Sequence, residues 1–190
     1  MNNERLSRYL SAILRHQAIN KGFTIDSKGF VSVDEIIASN KNITLVQLQQ
    51  IVQGNDKQRF ELINIKGVWF IRAVQGHSIP GIFPDLDLIS DPAEIPIVVH
   101  GTNYTAYDKI KLTGLNRMER NHIHFAHGTP GDSTVISGMR STAKVMIYID
   151  VPKAMANGIK FYKSANGVIL SEGINGVINP TYFLKVEFVP

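Results

Sequence analysis

Apolar residues recur at helical spacing near the start of the chain. One face of the predicted first helix is apolar, at Leu6, Leu10, Ile13 and Leu14. At about 100° per residue, Arg15 points away from this face and His16 lies at its flank. The stretch AILRHQ therefore ends the helix with an arginine and a histidine side by side.

Two capping-box patterns predict further helices. SVDE (Ser32–Glu35) opens a second helix, and TLVQ (Thr44–Gln47) opens a third that ends near Gly54. The β-rich runs RFELIN and VWFIRAV then predict a hairpin. Three short helices followed by a hairpin are typical of a winged-helix lobe. That architecture commonly binds nucleic acid but does not by itself establish the use.

A proline-rich stretch interrupts the pattern between residues 74 and 96, where four of the eight prolines fall. We predict a first lobe over residues 1–80, a linker over 81–95 and a second lobe over 96–190. Strands dominate the second lobe, in the runs IPIVVH, HIHFAH, KVMIYIDV, GVILS and YFLKVEFV. Helices are predicted in NYTAYDKIKLTG and PKAMANG. The whole chain is expected to be α+β, with a split or mixed sheet in the second lobe.

The charge is distributed unevenly along the chain. The net charge is +4, and residues 1–80 hold ten Lys/Arg against six Asp/Glu, whereas residues 81–190 hold ten of each. A basic lobe next to a neutral one favours a polyanionic partner for the first lobe. An excess of this size also arises by chance.

The composition excludes several classes of protein. A hydrophobic content of 44% and a charged content of 19% are typical of a folded globular protein. The chain has no cysteine, which excludes disulfides, thiolate metal sites and a cysteine nucleophile. No run approaches transmembrane length, and MNNERLSRYL lacks the apolar core of a signal peptide. We therefore expect a cytoplasmic location and no membrane association.

Arginine and histidine supply most of the candidate chemistry. These residues occur in LRH (14–16), in QRF around Arg59, in RAVQGHS (72–78), in HGT (100–102), in MERNHIHFAH (118–127) and at Arg140. No carboxylate pair, Ser-His-Asp set or Walker loop accompanies them. Such cations bind a dianionic phosphate and stabilise added negative charge. A phosphate that acts as a nucleophile is already an anion and needs no general base. The chemistry that fits this site is therefore attack by a phosphate, or phosphoryl transfer with arginine clamps.

A metal site is an alternative for the histidine-rich strand. His122 and His124 share one predicted strand face and His127 lies just beyond. No carboxylate lies close in sequence, since Glu119 precedes the set and Asp132 follows it by five residues. A metal-dependent hydrolase is thus one competing hypothesis, and a winged-helix DNA-binding regulator with a ligand-sensing second lobe is another.

The motifs taken in order resemble the KptA family of RNA 2′-phosphotransferases, also called tRNA 2′-phosphotransferases. The order is LRH, KQRF, RAVQGHS, HGT, GL-(x)4-R-(x)3-H and NGV. The resemblance runs from about residue 6 to residue 184. It implies a winged-helix lobe followed by an ADP-ribosyltransferase-like lobe.

The resemblance also implies a reaction that consumes NAD+ and needs no metal. The 2′-phosphate of an RNA, such as a tRNA-splicing product, attacks C1″ of the nicotinamide ribose and expels nicotinamide. Ribose O2″ then attacks the phosphorus of the ADP-ribosylated RNA. The products are RNA with a 2′-hydroxyl and ADP-ribose 1″,2″-cyclic phosphate.

Site residues follow from matching each motif to this sequence. The catalytic set of the family falls on Arg15, His16, Arg59 and Arg120. The NAD+-binding set falls on His77, Ser78, His100, Gly101, Thr102, His124, Arg140, Asn166, Gly167 and Val168. The segment NGVILSEGINGVINPTYF is longer and richer in glycine than the family motif implies, so no role is carried over to Glu172.

Overall fold

The computed structural model describes residues 2–128 and 142–189. The chain divides into two compact units, Met1–Asp85 and Leu86–Pro190. Each unit contains helices and strands, so the predicted α+β class is confirmed. The winged-helix and ADP-ribosyltransferase-like assignments stay predictions. In the described part of the chain, no helix is long and apolar enough to cross a membrane.

The three predicted helices of the first unit are present. They are α1 (Asn3–Ala12), α2 (Val33–Ser39) and α3 (Leu45–Gln53). The capping box of α3 forms as expected, because Thr44 and Gln47 each accept the other's backbone N–H. The box predicted for α2 is wrong in one half. Ser32 caps the helix, but the Glu35 carboxylate accepts from Thr24 N–H at 2.7 Å instead.

The sheet of the first unit has the order β1-β3-β2 and is antiparallel. Its strands are β1 (Val31–Ser32), β2 (Phe60–Ile65) and β3 (Val68–Ala73). The predicted hairpin closes over Lys66 and Gly67, both at positive φ (49° and 90°), a geometry that matches the twist of the strands. The predicted apolar helix face packs into the core of this unit, with Leu6, Leu10, Ile13 and Leu14 all buried.

Arg72 on β3 is an ion-pair centre of the first unit. The side chain is 4% exposed, and its guanidinium lies 2.6 Å from the Glu61 carboxylate and 3.0 Å from that of Asp85. It also lies over the ring of Phe30. Hydrogen bonds from Lys28 and then Arg72 lower the pKa of Asp85. The stabilisation from this carboxylate is therefore present above its unfolded pKa and lost as the pH falls through the lower folded value.

Replacing Arg72 with methionine is expected to lower the free energy of unfolding by about 2–3 kcal/mol, because Glu61 and Asp85 then lose their charge-assisted hydrogen bonds to a buried guanidinium. Urea unfolding at pH 7 measures the change. Lys28 provides the matched control, since it also contacts Asp85, at 3.0 Å, but is exposed. Lys28→Met should cost less than about 1 kcal/mol. Equal losses in the two variants would contradict the role given to Arg72.

The second unit is built on a seven-stranded sheet of order β12-β8-β5-β7-β10-β9-β4. Its strands are β4 (Leu86–Leu88), β5 (Val98–Thr102), β7 (Ile123–His127), β8 (Val145–Ile149), β9 (Tyr162–Ser164), β10 (Ile169–Ser171) and β12 (Phe183–Phe188). A separate two-stranded sheet joins β6 (Leu115–Asn116) and β11 (Val177–Ile178). Helices α4 (Tyr104–Thr113) and α5 (Val151–Ala156) lie where the sequence predicts them.

Residues 81–95 contain more structure than a linker. Leu86–Leu88 form β4, which pairs with β9 at the edge of the large sheet. Pro92–Glu94 form a short 3-10 helix that Asp91 caps. The contact boundary between the units falls between Asp85 and Leu86. The sequence pattern does not predict this strand, because it has only three residues and lies among prolines and short polar segments.

Candidate active site

Arg15 and His16 lie on a π-helical turn. The turn spans Ile13–Gln17 and continues α1 directly. Single π turns of this kind are uncommon and occur often at functional sites, because the extra residue redirects the side chains. Ile13 and Leu14 are buried and anchor the turn. Arg15 is half-buried and His16 is exposed.

The loop after β3 holds this turn through three contacts. Ser78 N–H donates to the Arg15 carbonyl at 2.9 Å. The Ser78 hydroxyl lies 2.8 Å from His16 Nδ1, within hydrogen-bond distance. Gly76, at φ +91°, lies against the Arg15 side chain so closely that a Cβ there would be 3.2 Å from Nε. The motif QGHS therefore fixes the positions of Arg15 and His16 in the LRH motif.

His77 is buried in the same loop and 3% exposed. It lies beside Gly29, whose φ is +87°, and a Cβ on that glycine would be 3.0 Å from His77 Nε2. This packing connects the loop after β3 to the turn before β1. The NAD+ contact predicted for His77 and Ser78 stays a prediction.

Arg59 lies immediately before β2 and is half-buried. Its carbonyl accepts from Val74 N–H at 3.0 Å, which extends the β2–β3 ladder by one residue. Its guanidinium is 3.4 Å from Asn55 Oδ1, and Asn55 also caps Lys57 N–H. A side-chain cap in the preceding turn thus positions Arg59.

In the second unit, β5 separates from β7 at the HGT motif. The two strands pair only at Val98↔His127 and Val99↔Ala126. Beyond that point β5 pairs with β8 through Thr102, while β7 pairs with β10 from Ile123 to Phe125. The HGT residues 100–102 therefore lie where two halves of the sheet diverge.

His100 bridges the two diverging strands. Its Nδ1–H donates to the carbonyl oxygen of His124 at 2.9 Å, and its ring meets Phe125 edge to face. A carbonyl can only accept, so the proton is on Nδ1. Burial lowers the pKa of His100, and the positive charge of Arg120 lowers it further. His100 is therefore neutral at pH 7, with Nε2 as a hydrogen-bond acceptor.

His122 and His124 occupy different environments. His122 is 6% exposed, with Nε2 4.0 Å from the Glu172 carboxylate and its ring edge to face with Tyr162. Burial lowers the pKa of His122, although the charge of Glu172 opposes the shift. His124 is half-buried on β7, between two core residues. Among residues 2–128 and 142–189, no three His, Asp or Glu side chains are grouped to hold a metal ion.

The NGV motif forms the tight turn between β9 and β10. Gly167, at φ +78°, donates its N–H to the Ser164 carbonyl at 2.8 Å, and the Ser164 hydroxyl lies 2.8 Å from Asn166 Oδ1. Asn166 and Val168 are buried. The antiparallel register with β7 places this turn near the His127 end of that strand. His122 and Arg120 lie toward the other end, roughly 13 Å along the strand.

Comparison with known proteins identifies the family of this chain. Residues 1–173 match the model of the RNA 2′-phosphotransferase, Tpt1 / KptA family. The chain belongs to this family. It is 45% identical to a putative tRNA 2′-phosphotransferase of Schizosaccharomyces pombe, 42% to tRNA 2′-phosphotransferase 1 of Danio rerio and 37% to tRNA 2′-phosphotransferase of Saccharomyces cerevisiae.

These alignments cover nearly all of the chain but different shares of the relatives. They span 95%, 96% and 90% of this chain, in the same order. They cover 50% of the fission yeast protein, 84% of the zebrafish protein and 79% of the budding yeast protein. The chain thus spans about half the length of the fission yeast relative. The family predicted from the motifs is confirmed.

For this member of the RNA 2′-phosphotransferase family, the structure brings several of the predicted residues into contact within each unit. Arg15, His16 and Ser78 are in contact in the first unit, and Asn55 holds Arg59 there independently. In the second unit, His100 hydrogen-bonds to the backbone carbonyl of His124, and its pKa is lowered by burial and then by the positive charge of Arg120. The NGV turn lies near the His127 end of β7.

The predicted NAD+ ligand Arg140 lies outside the described residues. Arg117, which the sequence pattern does not single out, donates from NH1 to the Arg120 carbonyl at 2.7 Å. The pattern offers no signal for Arg117, because the contact depends on the turn that residues 116–120 adopt.

Proposed function

We propose that this chain is an NAD+-dependent RNA 2′-phosphotransferase. The proposed reaction removes an internal 2′-phosphate from RNA through an ADP-ribosylated RNA, and yields nicotinamide and ADP-ribose 1″,2″-cyclic phosphate. Membership of the family supports the phosphotransferase activity. The names of the relatives favour tRNA as the class of RNA substrate. We further propose a winged-helix fold for the first unit and an ADP-ribosyltransferase-like fold for the second.

The observation that carries this proposal is the fixed arginine–histidine pair. Ser78 and Gly76 constrain the main chain and side chains of Arg15 and His16 from a second segment of the fold. A solvated surface pair would need no such support. A guanidinium held in one orientation presents planar N–H donors that match two phosphate oxygens. The pair therefore fits a dianionic phosphate.

The proposed roles follow from the charges of the groups. Arg15 and His16 bind the 2′-phosphate, which is already an anion and needs no base in order to attack. Arg59 and Arg120 stabilise the charge that accumulates at phosphorus in the second step. Because Ser78 engages His16 Nδ1, we assign the phosphate contact of His16 to Nε2.

The HGT strand end supports the proposed use of NAD+, which supplies the electrophilic ribose carbon. His100 offers a neutral Nε2 acceptor for a ribose hydroxyl, since Nδ1–H is held by the His124 carbonyl. Gly101 adds no side chain, and Thr102 adds a hydroxyl where β5 leaves β7. His124, His77, Arg140 and the turn Asn166–Val168 complete the proposed binding set. Ser78 is assigned to the support of His16.

An RNA oligonucleotide with one internal 2′-phosphate tests the proposal. Incubation with NAD+ is expected to release nicotinamide and to leave RNA with a 2′-hydroxyl, measured by chromatography and mass spectrometry. The same RNA without the 2′-phosphate should release no nicotinamide. Retention of the phosphate on the RNA, with no nicotinamide formed, would overturn the proposed function.

Gly76→Ala is expected to slow the formation of 2′-hydroxyl RNA on the order of 10-fold to 100-fold. The new Cβ would lie 3.2 Å from Arg15 Nε and would displace the guanidinium. The matched control is Gly81→Ala in the same unit. Gly81 has a similar φ of +78°, but a Cβ there meets nothing within 4 Å. Both variants carry similar backbone strain, so equal activities would contradict the proposed packing role of Gly76.

Activity is expected to persist in EDTA. Arginine and histidine provide the positive charge in the proposed site, so removal of divalent ions should leave the rate within about twofold of the untreated enzyme. Nicotinamide release after dialysis against EDTA is the measurement. Loss of activity that added zinc or magnesium restores would favour the metal-dependent alternative on His122, His124 and His127.

A further inference from the structure

We propose that Arg117 is a positioning residue that holds Arg120 in its working orientation. The inference rests on the proposed function, because Arg120 belongs to the proposed catalytic set. It concerns the loop Asn116–Arg120, which connects β6 to the segment before β7. It also gives a role to the glycine-rich segment that departs from the family motif.

Arg117 closes the loop on Arg120 with two hydrogen bonds. Its NH1 donates to the Arg120 carbonyl at 2.7 Å, and Arg120 N–H donates to the Arg117 carbonyl at 3.1 Å. The main chain of Arg120 is therefore fixed on both sides, while its side chain remains exposed. A group held in this way loses less conformational entropy when it binds a ligand.

The segment around Gly176 anchors Arg117 in turn. Arg117 N–H donates to the Gly176 carbonyl at 2.9 Å. A Cβ on Gly176 would lie 2.9 Å from Arg117 Nε, so the guanidinium stem packs directly on this glycine. The adjacent pairing of β6 with β11, at Asn116↔Val177, continues the attachment. The sequence GINGV thus serves as the platform for the Arg120 loop.

One further feature shows that the loop is held against its local preference. Met118 has φ +56°, in the left-handed region that non-glycine residues seldom adopt. The Asn116 side chain stabilises this conformation by accepting from Met118 N–H at 2.6 Å.

The test compares three variants of the full chain. Arg117→Ala removes the guanidinium, Arg117→Gln keeps an N–H donor without the charge, and Gly176→Ala keeps the arginine but obstructs it. The control Gly158→Ala has the same backbone strain, at φ +86°, with nothing within 4 Å of the added Cβ. The readouts are the ratio of ADP-ribosylated RNA to final product, KM for RNA, and hydrogen exchange of residues 116–122.

Arg117→Ala and Gly176→Ala are expected to slow the second step on the order of 10-fold to 100-fold, with little change in KM for RNA. Both should accelerate exchange of the Arg120 amide, whereas Arg117→Gln restores part of the rate and Gly158→Ala behaves like the unaltered protein. Adding Arg117→Ala to Arg120→Ala should cause little further loss, because both changes remove the same contribution.

Three results would overturn the inference. One is an unchanged product ratio in Arg117→Ala, another is a full additional loss on top of Arg120→Ala, and the third is unaltered exchange at Arg120 in both Arg117→Ala and Gly176→Ala. The exchange measurement does not depend on catalysis. If the unaltered protein releases no nicotinamide, the proposed function fails, and with it the catalytic role of Arg120 that Arg117 is inferred to support.

Discussion

Replacing Arg120 with alanine is expected to slow the formation of 2′-hydroxyl RNA on the order of 10²–10³-fold, the usual cost of removing one donor to a developing negative charge. The second step should suffer more than the first, because attack on phosphorus crowds additional charge onto the phosphate. ADP-ribosylated RNA is therefore expected to accumulate. Gel separation of the labelled RNA species over time measures both steps. Arg59→Ala should act in the same direction.

Lys109→Ala is the matched control for Arg120→Ala, since it removes an exposed cation from the same unit. It should leave the ratio of intermediate to product unchanged. Arg120 is itself exposed, so the thermal unfolding midpoint of Arg120→Ala should match that of the unaltered chain. An equal slowing of both steps, or a failure of the variant to bind RNA with no intermediate formed, would contradict the role given to Arg120.

Arg15→Ala is expected to lower the overall rate by a similar factor, on the order of 10²–10³, because the proposed phosphate clamp loses its oriented guanidinium. The rate of Arg15→Lys should exceed that of Arg15→Ala by less than about tenfold. A lysine ammonium carries the charge but not the planar pair of N–H donors, and it cannot reproduce the packing of the guanidinium on Gly76. Steady-state rates with the 2′-phosphorylated RNA measure both variants.

Arg5→Ala controls for the general loss of positive charge from this part of the chain, because Arg5 is exposed on α1, which the turn with Arg15 directly continues. This variant should retain nearly full activity at physiological salt. If Arg5→Ala and Arg15→Ala were equally impaired, Arg15 would be acting only as part of the overall charge. If Arg15→Lys were fully active, the planar geometry of the guanidinium would be irrelevant.

Local patterns predicted most of the helices and their caps. Thr44 and Gln47 form the expected capping box, and Asn103 and Gly114 bound α4 where NYTAYDKIKLTG indicates. The capping box at Ser32 failed in part because Glu35 finds a tertiary partner in Thr24. Sequence spacing cannot distinguish a local N–H donor from one that lies eleven residues away.

The arrangement of the site was less accessible from sequence. Apolar spacing indicated a regular α-helix through His16. Residues 13–17 instead form a π turn, in which the backbone hydrogen bond spans five residues rather than four. The contact of Ser78 with His16 spans 62 residues, and no periodic pattern encodes such a pairing. Strands β4, β6, β9 and β11 have two or three residues each, too few to show alternation.

The candidate site residues were easier to name from the sequence than the residues that hold them in place. Residue type alone marks arginines, histidines and the HGT motif as candidates, so Arg15, Arg59 and His100 could be named from the sequence. Gly76, Asn55 and Arg117 act by where they lie, and only the fold brings them to the residues that they hold. The glycine-rich segment around Gly176 packs on Arg117, a contact that the sequence pattern did not predict.

The most direct measurement follows radioactive phosphorus placed in the internal 2′-phosphate of an RNA oligonucleotide. The proposed reaction predicts that the label leaves the RNA only when NAD+ is present. The label should then appear in ADP-ribose 1″,2″-cyclic phosphate, with one nicotinamide released for each phosphate transferred. Label recovered as inorganic phosphate, released without NAD+, or retained on the RNA would contradict it.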